Sequence, residues 1–469
     1  MKNYSPALQQ FLSGRSLLRQ EIPFSKHIMQ EHLQHGFVKR TQGITGKNGA
    51  FLCQRCHNRK QHLFSAFPCA CCGKESHYCR NCIKMGRVST CTSLYRWSGP
   101  PVHWANLLPA LENEDGQSCL DWNGVLSVGQ QEASLAVVEA VRSHSEFLCW
   151  AVCGAGKTEV LFTGIDEAIK RKQRVCVATP RTDVVLELAP RFQKVFPNLR
   201  VAALYGGSED RHLFAPLTIS TTHQLYRFEE AFDVIIVDEV DAFPFSYDHS
   251  LQAAMQKAAK PQSSRIFLTA TPSEKWQREC KRGKRSYIKI PARYHRHSLP
   301  IPIFKWCGNW SKAFAKGKIP PNVKTWVETR LEGNKQALVF LPDIHLMEKA
   351  LPLFQRLDPK IAAVHAEDPN RKQKVEKMRN QEIPLLLTTT ILERGVTFPN
   401  IDVAVLGSEN DTFTEAALVQ ISGRVGRSTD FPKGNITFFH YGRTKAMIQA
   451  LSHIDQMNQE ARRKGLIDS

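Results

Sequence analysis

The chain has 469 residues, 42% hydrophobic and 23% charged, the balance of a soluble globular protein too long for one core, so about three domains are expected. No run of eighteen apolar residues occurs, and the opening MKNYSPALQQFLSG lacks the apolar centre of a signal peptide, so a cytoplasmic protein is expected. The 63 basic residues against 44 acidic, a net charge of +19, favour a polyanionic partner through phosphate contacts and counterion release; anionic membranes and plain solubility are readings that charge alone leaves open.

Residues 1–120 carry 15 Lys/Arg against six Asp/Glu, about half of the excess charge. Residues 1–50 read as an N-terminal extension, 51–92 as a cysteine-rich module, and 93–125, with SGPPVHWANLLPALENEDG, as a linker. Eight of the fourteen cysteines fall between Cys53 and Cys91, a density that points to metal before disulfides in a reducing compartment. CQRC (53–56) and CRNC (79–82) can supply four thiolates at about 2.3 Å in a tetrahedron, the geometry of structural Zn²⁺. PCACC adds Cys69 and Cys72 as a third pair, so which pairs hold one ion, or whether two ions share ligands, stays open at this level. Cys53, Cys56, Cys79 and Cys82 are favoured for the first site. Arg55, Arg59, Lys60, Arg80, Lys84 and Arg87 surround the pairs and would make a basic knob able to hold DNA or a partner protein. Cys119, Cys149, Cys153, Cys176, Cys280 and Cys307 lie in mostly apolar surroundings and are expected to pack.

From Leu126 the pattern changes to short apolar runs alternating with helical spacing: FLCWA (147–151), RVCVAT (174–179), LTIST (217–221), VIIV (234–237) and RIFLTA (265–270). Such alternation implies βαβ units and a doubly wound parallel sheet, here over 126–290. The first run feeds AVCGAGKTE, in which Ala151, Val152, Cys153, Gly154, Ala155 and Gly156 form a turn that presents backbone N–H groups to phosphates. Lys157 would reach the β/γ oxygens and the Thr158 hydroxyl would ligate Mg²⁺. About eighty residues on, VIIVDEVD delivers Asp238 to the metal's water shell and Glu239 to the attacking water. The pair of motifs, in this order, predicts hydrolysis of a nucleoside triphosphate.

A basic, proline-punctuated stretch over 291–321 reads as an interlobe linker. A second αβ series follows over 322–469, with strands expected in ALVFLP (337–342), IAAVHA (361–366), PLLLTTT (384–390), VAVLG (403–407) and ITFFH (436–440). Two such units joined by a linker bind ligands in the cleft between them. In QISGRVGR, Gln420, Arg424 and Arg427 follow at spacings of four and three, which on a helix places them on one face. Guanidinium groups there would meet charge developing on the γ-phosphate, so hydrolysis would require the cleft to close.

The motif order over 126–469 resembles the superfamily-2 helicases and translocases. That resemblance implies adenine reading by Gln130 in LSVGQQEA and contact with the nucleic-acid backbone by Pro180 and Arg181 in TPR and by Thr221 and Thr222 in TTHQL. It also implies coupling of nucleotide and nucleic acid by Thr269 and Thr271 in TAT. In TTTILERGVT, Thr389, Arg394 and Gly395 would touch the nucleic acid. Asn113 stands where DEAD-box RNA helicases carry a stacking aromatic, the second motif reads DEVD, and Thr397 replaces a ribose-binding Asp. These departures point to the DNA-translocase branch that includes the replication-restart helicase PriA.

Longer strings narrow the resemblance. WAVCGAGKTE, ATPRTDVVLELAPR (178–191), ALYGGS (203–208), VDEVDAFPF (237–245), IPARYHR (290–296), WCGNW (306–310) and AVHAED (363–368) are similar to the ComFA family of late competence proteins, over essentially the whole chain. The family carries a four-cysteine zinc element whose C-x₂-C pairs match Cys53/Cys56 and Cys79/Cys82, with Cys69, Cys71 and Cys72 as an addition. The resemblance implies two RecA-like lobes and an ATP-driven motor on single-stranded DNA that helps draw transforming DNA inward. It implies ATP, Mg²⁺ and Zn²⁺ as cofactors. The expected place is the inner face of the membrane, beside the ComEC channel and the phosphoribosyltransferase-like ComFC. A general replication or repair helicase of the PriA type, and an ATP-gated DNA-binding scaffold, are the alternatives.

Overall fold

The computed structural model describes residues 4–46, 50–103, 118–393 and 398–468. The first αβ series forms a seven-stranded sheet in the order Val201–Leu204, Leu217–Thr221, Val175–Thr179, Phe232–Val237, Ala259–Thr269, Glu146–Ala151, Tyr287–Ile290. The second forms a six-stranded sheet in the order Ile303–Trp306, Ile436–His440, Ile401–Leu406, Gln336–Phe340, Leu385–Thr388, Ala362–Val364. Every pairing within both sheets is parallel. Strands such as VCVAT and LLLT are buried along their whole length because helices cover both faces, which explains why they read as unbroken apolar runs. The expected strands are all present, joined by Val201–Leu204 and Tyr287–Ile290 in the first lobe and Ile303–Trp306 in the second.

Parallel pairing has a direct consequence for the site. Register sets Val237 beside Ala178 and Phe267, and Thr269 beside Trp150. The segments that follow Ala151, Thr179, Val237 and Thr269 therefore leave one carboxyl-end edge together. Helix Lys157–Lys170 springs from that edge and packs on helix Val128–Arg142.

Two linker expectations need correction. Ser93–Trp97 is the central strand of an antiparallel three-stranded sheet, between Leu17–Leu18 and Val38–Gln42, so the expected 93–125 linker begins inside a folded unit. Its alternation is too short to stand out before the SGPP turn. Residues 1–50 and 51–92 are likewise tied together by Ile44–Thr45 pairing with Leu52–Cys53. In the expected 291–321 linker, Ile303–Trp306 joins the second sheet, and Trp310 and Phe314 enter its core.

The N-terminal unit is fastened to the first lobe. Glu21 accepts from Arg55 and, at 2.7 Å, from Arg227; Asn81 donates to Ser250 at 2.8 Å. Lys257 Nζ enters from helix His249–Ala258 and donates to the carbonyls of Arg55 (2.8 Å) and Tyr226 (3.1 Å). The four buried cysteines share an apolar cluster with Phe228, Leu251 and Met255 of the lobe. At the other end of the chain, helix Lys445–Arg463 crosses back to the first lobe. Asn458 exchanges both amide bonds with the Leu299 backbone (2.7 and 2.9 Å), and Glu460 accepts from Lys289 at 3.0 Å.

Candidate nucleotide site and metal centre

The turn after Glu146–Ala151 is built for a phosphate. Gly154 and Gly156 hold left-handed φ values of 82° and 70°, and a Cβ at Gly156 would lie 2.2 Å from Gln130 Nε2. Glycine is therefore favoured by conformation, and a side chain there would also displace the Gln130 amide. Lys157 and Thr158 begin the helix, half-buried, at its positive end. Gln130 is buried beneath the turn. Its Nε2 donates to the Ala155 carbonyl at 3.0 Å and its Oε1 accepts from Ser127 N at 2.8 Å. In this arrangement its amide braces the loop.

Asp238 and Glu239 follow Phe232–Val237 at the same edge, with Ala259–Thr269 between that strand and Glu146–Ala151. Glu239 has a φ of 56°, a conformation that costs a non-glycine residue about 1 kcal/mol, and its N–H donates to Asp238 Oδ1 at 2.8 Å. Two residues on, Asp241 accepts from Thr269 Oγ1 at 2.8 Å and Thr271 Oγ1 at 2.7 Å. The carboxylate of DEVD thus joins the strand carrying Asp238 to the TAT turn. Sequence reading passed over Asp241, although its place as the last residue of the motif marks it.

From the second lobe, helix Glu415–Ser422 ends at Ser422. Arg424 and Arg427 lie beyond it in tight turns, with Arg424 N bonding Ile421 O at 3.0 Å, so their shared helical face is replaced by a turn that reverses at Gly426. The turn abuts the phosphate loop: a Cβ at Gly423 would lie 2.5 Å from Cys153 Cβ, and Cys153 Sγ donates to Gln420 Oε1 at 2.9 Å. Arg424 is buried and its Nε donates to the Glu393 carbonyl at 2.9 Å. Burial, then the charge of Arg427, holds its guanidinium well below the ordinary range.

Arg293 is a residue that spacing could not reveal. It is buried beside Gly154 and donates to the carbonyls of Gly426 and Gly423, while Tyr294 N donates to Gly154 O at 3.2 Å. Burial, then Arg427, pushes it down to about 10. Three guanidinium groups crowded against a phosphate-binding turn repel one another, and an anion placed among them would relieve that repulsion. Its only sequence signal was membership in the string IPARYHR.

The residues expected to touch nucleic acid divide. Thr221 pairs with Thr179, so TPR and TTHQL leave neighbouring strands side by side. Pro180, Thr221, Thr222 and Thr389 are buried. Arg181 bonds Asp183 at 3.1 Å and the Ile391 carbonyl at 2.6 Å; Arg371 reaches the same Asp183 at 2.9 Å. This cluster clasps the two lobes. Arg394, Gly395, Thr397 and Asn113 lie outside the described residues.

Cys53, Cys56, Cys79 and Cys82 converge, buried, with all sulfurs within 4.8 Å of one another. Two of the separations, Cys53–Cys82 at 3.8 Å and Cys56–Cys79 at 3.6 Å, match the roughly 3.8 Å edge of a tetrahedron with 2.3 Å bonds. Asn58 Nδ2 donates to Cys79 Sγ at 3.7 Å, the kind of outer contact that steadies a thiolate. The group fits Zn²⁺.

Residues 2–96 match the model described as "Competence protein ComFA N-terminal domain", residues 124–274 that of "Type III restriction enzyme, res subunit", and residues 322–429 "Helicase conserved C-terminal domain". The chain is 46% identical to competence protein ComFA of Bacillus subtilis over 461 residues, covering 98% of this chain and 96% of that one. It is 35% identical to ComFA of Streptococcus pneumoniae over 426 residues, 90% and 94% of the two chains. ATP-dependent DNA helicase RecG of Streptococcus pneumoniae is 24% identical over 64% of this chain and 47% of its own. Among solved structures, the DEAD-box helicase Mss116 bound to ssRNA and UDP-BeF gives a TM-score of 0.52 at 16% identity, covering 71% of this chain and 75% of that chain.

Proposed function

This chain belongs to the ComFA family of competence proteins, which makes it a superfamily-2 helicase-like ATPase, and from that premise we propose that it is a motor that moves along single-stranded DNA during DNA uptake. The observation that carries the reading is the contact of Cys153 with Gln420, with Arg293 bonded to the turn that holds Arg424 and Arg427. It brings the two halves of an ATPase site together from different lobes. Lys157 would hold the β/γ oxygens, with Thr158 and Asp238 holding Mg²⁺ and its waters. Bound Mg²⁺ would neutralise charge between the β- and γ-phosphates. Glu239 would orient and polarise the attacking water, and Arg424 and Arg427 would stabilise the charge leaving on the γ-phosphate. Because the arginines sit on the second lobe, each turnover is tied to lobe closure.

Coupling to DNA would run through Asp241. Movement of the Asp238–Glu239 turn on hydrolysis is transmitted by its bonds to Thr269 and Thr271, and by the Arg181 clasp to the second lobe. The +19 charge supports a polyanionic track. The N-terminal unit, through Trp97, is proposed to bind Zn²⁺ at Cys53, Cys56, Cys79 and Cys82 and to serve as a grip on DNA or on a ComFC-like partner at the ComEC channel. Among the described residues no helix is long and apolar enough to cross a membrane, so association with the channel would be peripheral. The test is ATPase activity with and without single-stranded DNA, followed by displacement of a streptavidin block from one DNA end. Stimulation with block removal supports the motor. Stimulation without any displacement would return the ATP-gated scaffold.

A further inference from the structure

A second group of cysteines lies at the far end of the hairpin from the four described above. Phe64–Pro68 and Glu75–Cys79 pair antiparallel, and residues 69–74 form the turn between them. That turn repeats the backbone pattern of the first cysteine pair. Cys53 N donates to Asn58 O at 3.1 Å and His57 N to Cys53 O at 2.9 Å, with His57 at a φ of 55°. Cys69 N donates to Lys74 O at 3.1 Å and Gly73 N to Cys69 O at 2.8 Å, with Gly73 at a φ of 65°. Both turns close with the first cysteine's N–H donating to the carbonyl five residues on and its carbonyl accepting from the N–H four residues on, the latter from a left-handed residue just after the second cysteine. This loop aims two sulfurs at one point, and in the first case the other two sulfurs of a tetrahedron are found there.

At the second turn the neighbouring sulfur is Cys91. The segment carrying it is held against the hairpin by Thr90 N donating to His77 O at 2.9 Å and by the bridge between Tyr78 and Ser89. The sulfurs of Cys69, Cys72 and Cys91 lie within 4.8 Å of one another. Two buried hydroxyls face them: Ser76 Oγ is 3.3 Å from Cys72 Sγ, and Ser89 Oγ is 3.3 Å from Cys91 Sγ. Hydroxyls so placed can donate to thiolates and steady their charge. Cys71 is exposed and outside the group, and Cys72 is exposed on one side.

We propose that Cys69, Cys72 and Cys91 form a second zinc site, with three thiolate ligands and a fourth position open to solvent. The strand Glu75–Cys79 separates it from the first site by about 13 Å at roughly 3.3 Å per residue, so the two ions share no ligand. Cys69 and Cys91 stand at 3.3 Å, and an ion with 2.3 Å bonds would part them by about half an ångström. A disulfide between those two would leave the turn geometry at Cys72 without a use. Three protein ligands with an open fourth position is the arrangement that exchanges its metal and outer ligand, in contrast to the closed four-thiolate site.

Native mass spectrometry of the full chain, purified with reductant and zinc and then desalted, should show two zinc ions. Cys69→Ser and Cys91→Ser should each show one, with basal ATPase unchanged, and Cys71→Ser should keep two. With excess 4-(2-pyridylazo)resorcinol, the wild-type chain should give up one equivalent at least tenfold faster than the other, and Cys69→Ser should lack the fast phase. One ion in the reduced wild-type chain would overturn the proposal, as would a fast phase that survives in Cys69→Ser. A mass two hydrogens short that maps to a Cys69–Cys91 bond would overturn it in favour of a disulfide.

Discussion

Cys153 of the phosphate-binding turn donates its thiol to Gln420 Oε1 of the opposite lobe at 2.9 Å. Both residues are buried, and Gly423 beside them has no room for a side chain. The turn that carries Arg424 and Arg427 is therefore seated on the turn before Lys157, where the proposed catalytic groups of the two lobes meet.

Arg427→Ala should bind ATP and Mg²⁺ within a few-fold of wild type yet turn over at least a hundredfold more slowly, because the guanidinium acts on charge that appears only in the transition state. Glu239→Gln should behave alike from the other lobe, keeping Asp238 for the metal. Equilibrium nucleotide binding beside steady-state ATPase separates the two effects. A loss of ATP affinity as large as the loss of rate in either variant would contradict this division of roles.

Lys157→Ala should lower ATPase to under about a tenth of wild type, a loss of several kcal/mol in transition-state stabilisation. Its half-buried side chain belongs to no core, so thermal unfolding should be nearly unchanged. Phosphate release and a melting curve check both halves of this expectation.

Asp241→Ala removes the acceptor of both Thr269 and Thr271 and leaves two interior hydroxyl protons without an acceptor, a loss of about 1–3 kcal/mol. We expect basal ATPase to persist at a reduced level and its stimulation by DNA to disappear. The informative quantity is the ratio of stimulated to basal rate; an unchanged ratio would remove Asp241 from the coupling path.

Single-stranded DNA should stimulate ATPase more than duplex, and its binding should weaken about a hundredfold between roughly 50 and 200 mM salt for some five phosphate contacts. Titrations at three salt concentrations give the slope. Equal stimulation by RNA would count against the DNA assignment.

Cys53→Ser should release the ion held by the four-thiolate group and loosen the N-terminal unit, since residues 41–90 bury few large apolar side chains of their own. Basal ATPase should survive, because the apolar cluster that runs through both lobes contains none of the four cysteines, and DNA or partner binding should fall. Acid should mimic the variant: the cysteine thiols must lose their protons to bind metal as thiolates, so affinity drops as pH falls. Zinc content against pH, with ATPase followed in the same samples, tests the sign.

Much of the site was legible because its parts are local. A glycine turn ending in Lys157–Thr158, or an apolar run ending in Asp238–Glu239, carries its chemistry within ten residues. Arg293 was not legible, since it works by donating to the carbonyls of Gly423 and Gly426, about 130 residues away, and carbonyls leave no trace in a sequence. Cys91 had no partner at ligand spacing. Ser93–Trp97 and Ile303–Trp306 were read as linker because a strand of four or five residues beside prolines has too little periodicity to declare itself. The helical spacing from Gln420 to Arg427 suggested one continuous face, whereas the helix stops at Ser422 and the chain reverses at the left-handed Gly426.

Residue type and short-range spacing alone determined the two α/β lobes and the expectation of phosphate binding, water activation and thiolate ligation. They determined these because each depends on backbone conformation and side-chain identity over a single turn or strand. Tertiary structure alone decided the assembly. Parallel pairing brought the ends of four strands to one edge, the return of helix Lys445–Arg463 bound the second lobe to the first, and burial set Arg293 and Arg424 against the phosphate loop. These contacts join residues 30 or more positions apart, and only the packing of whole elements fixes which of them meet.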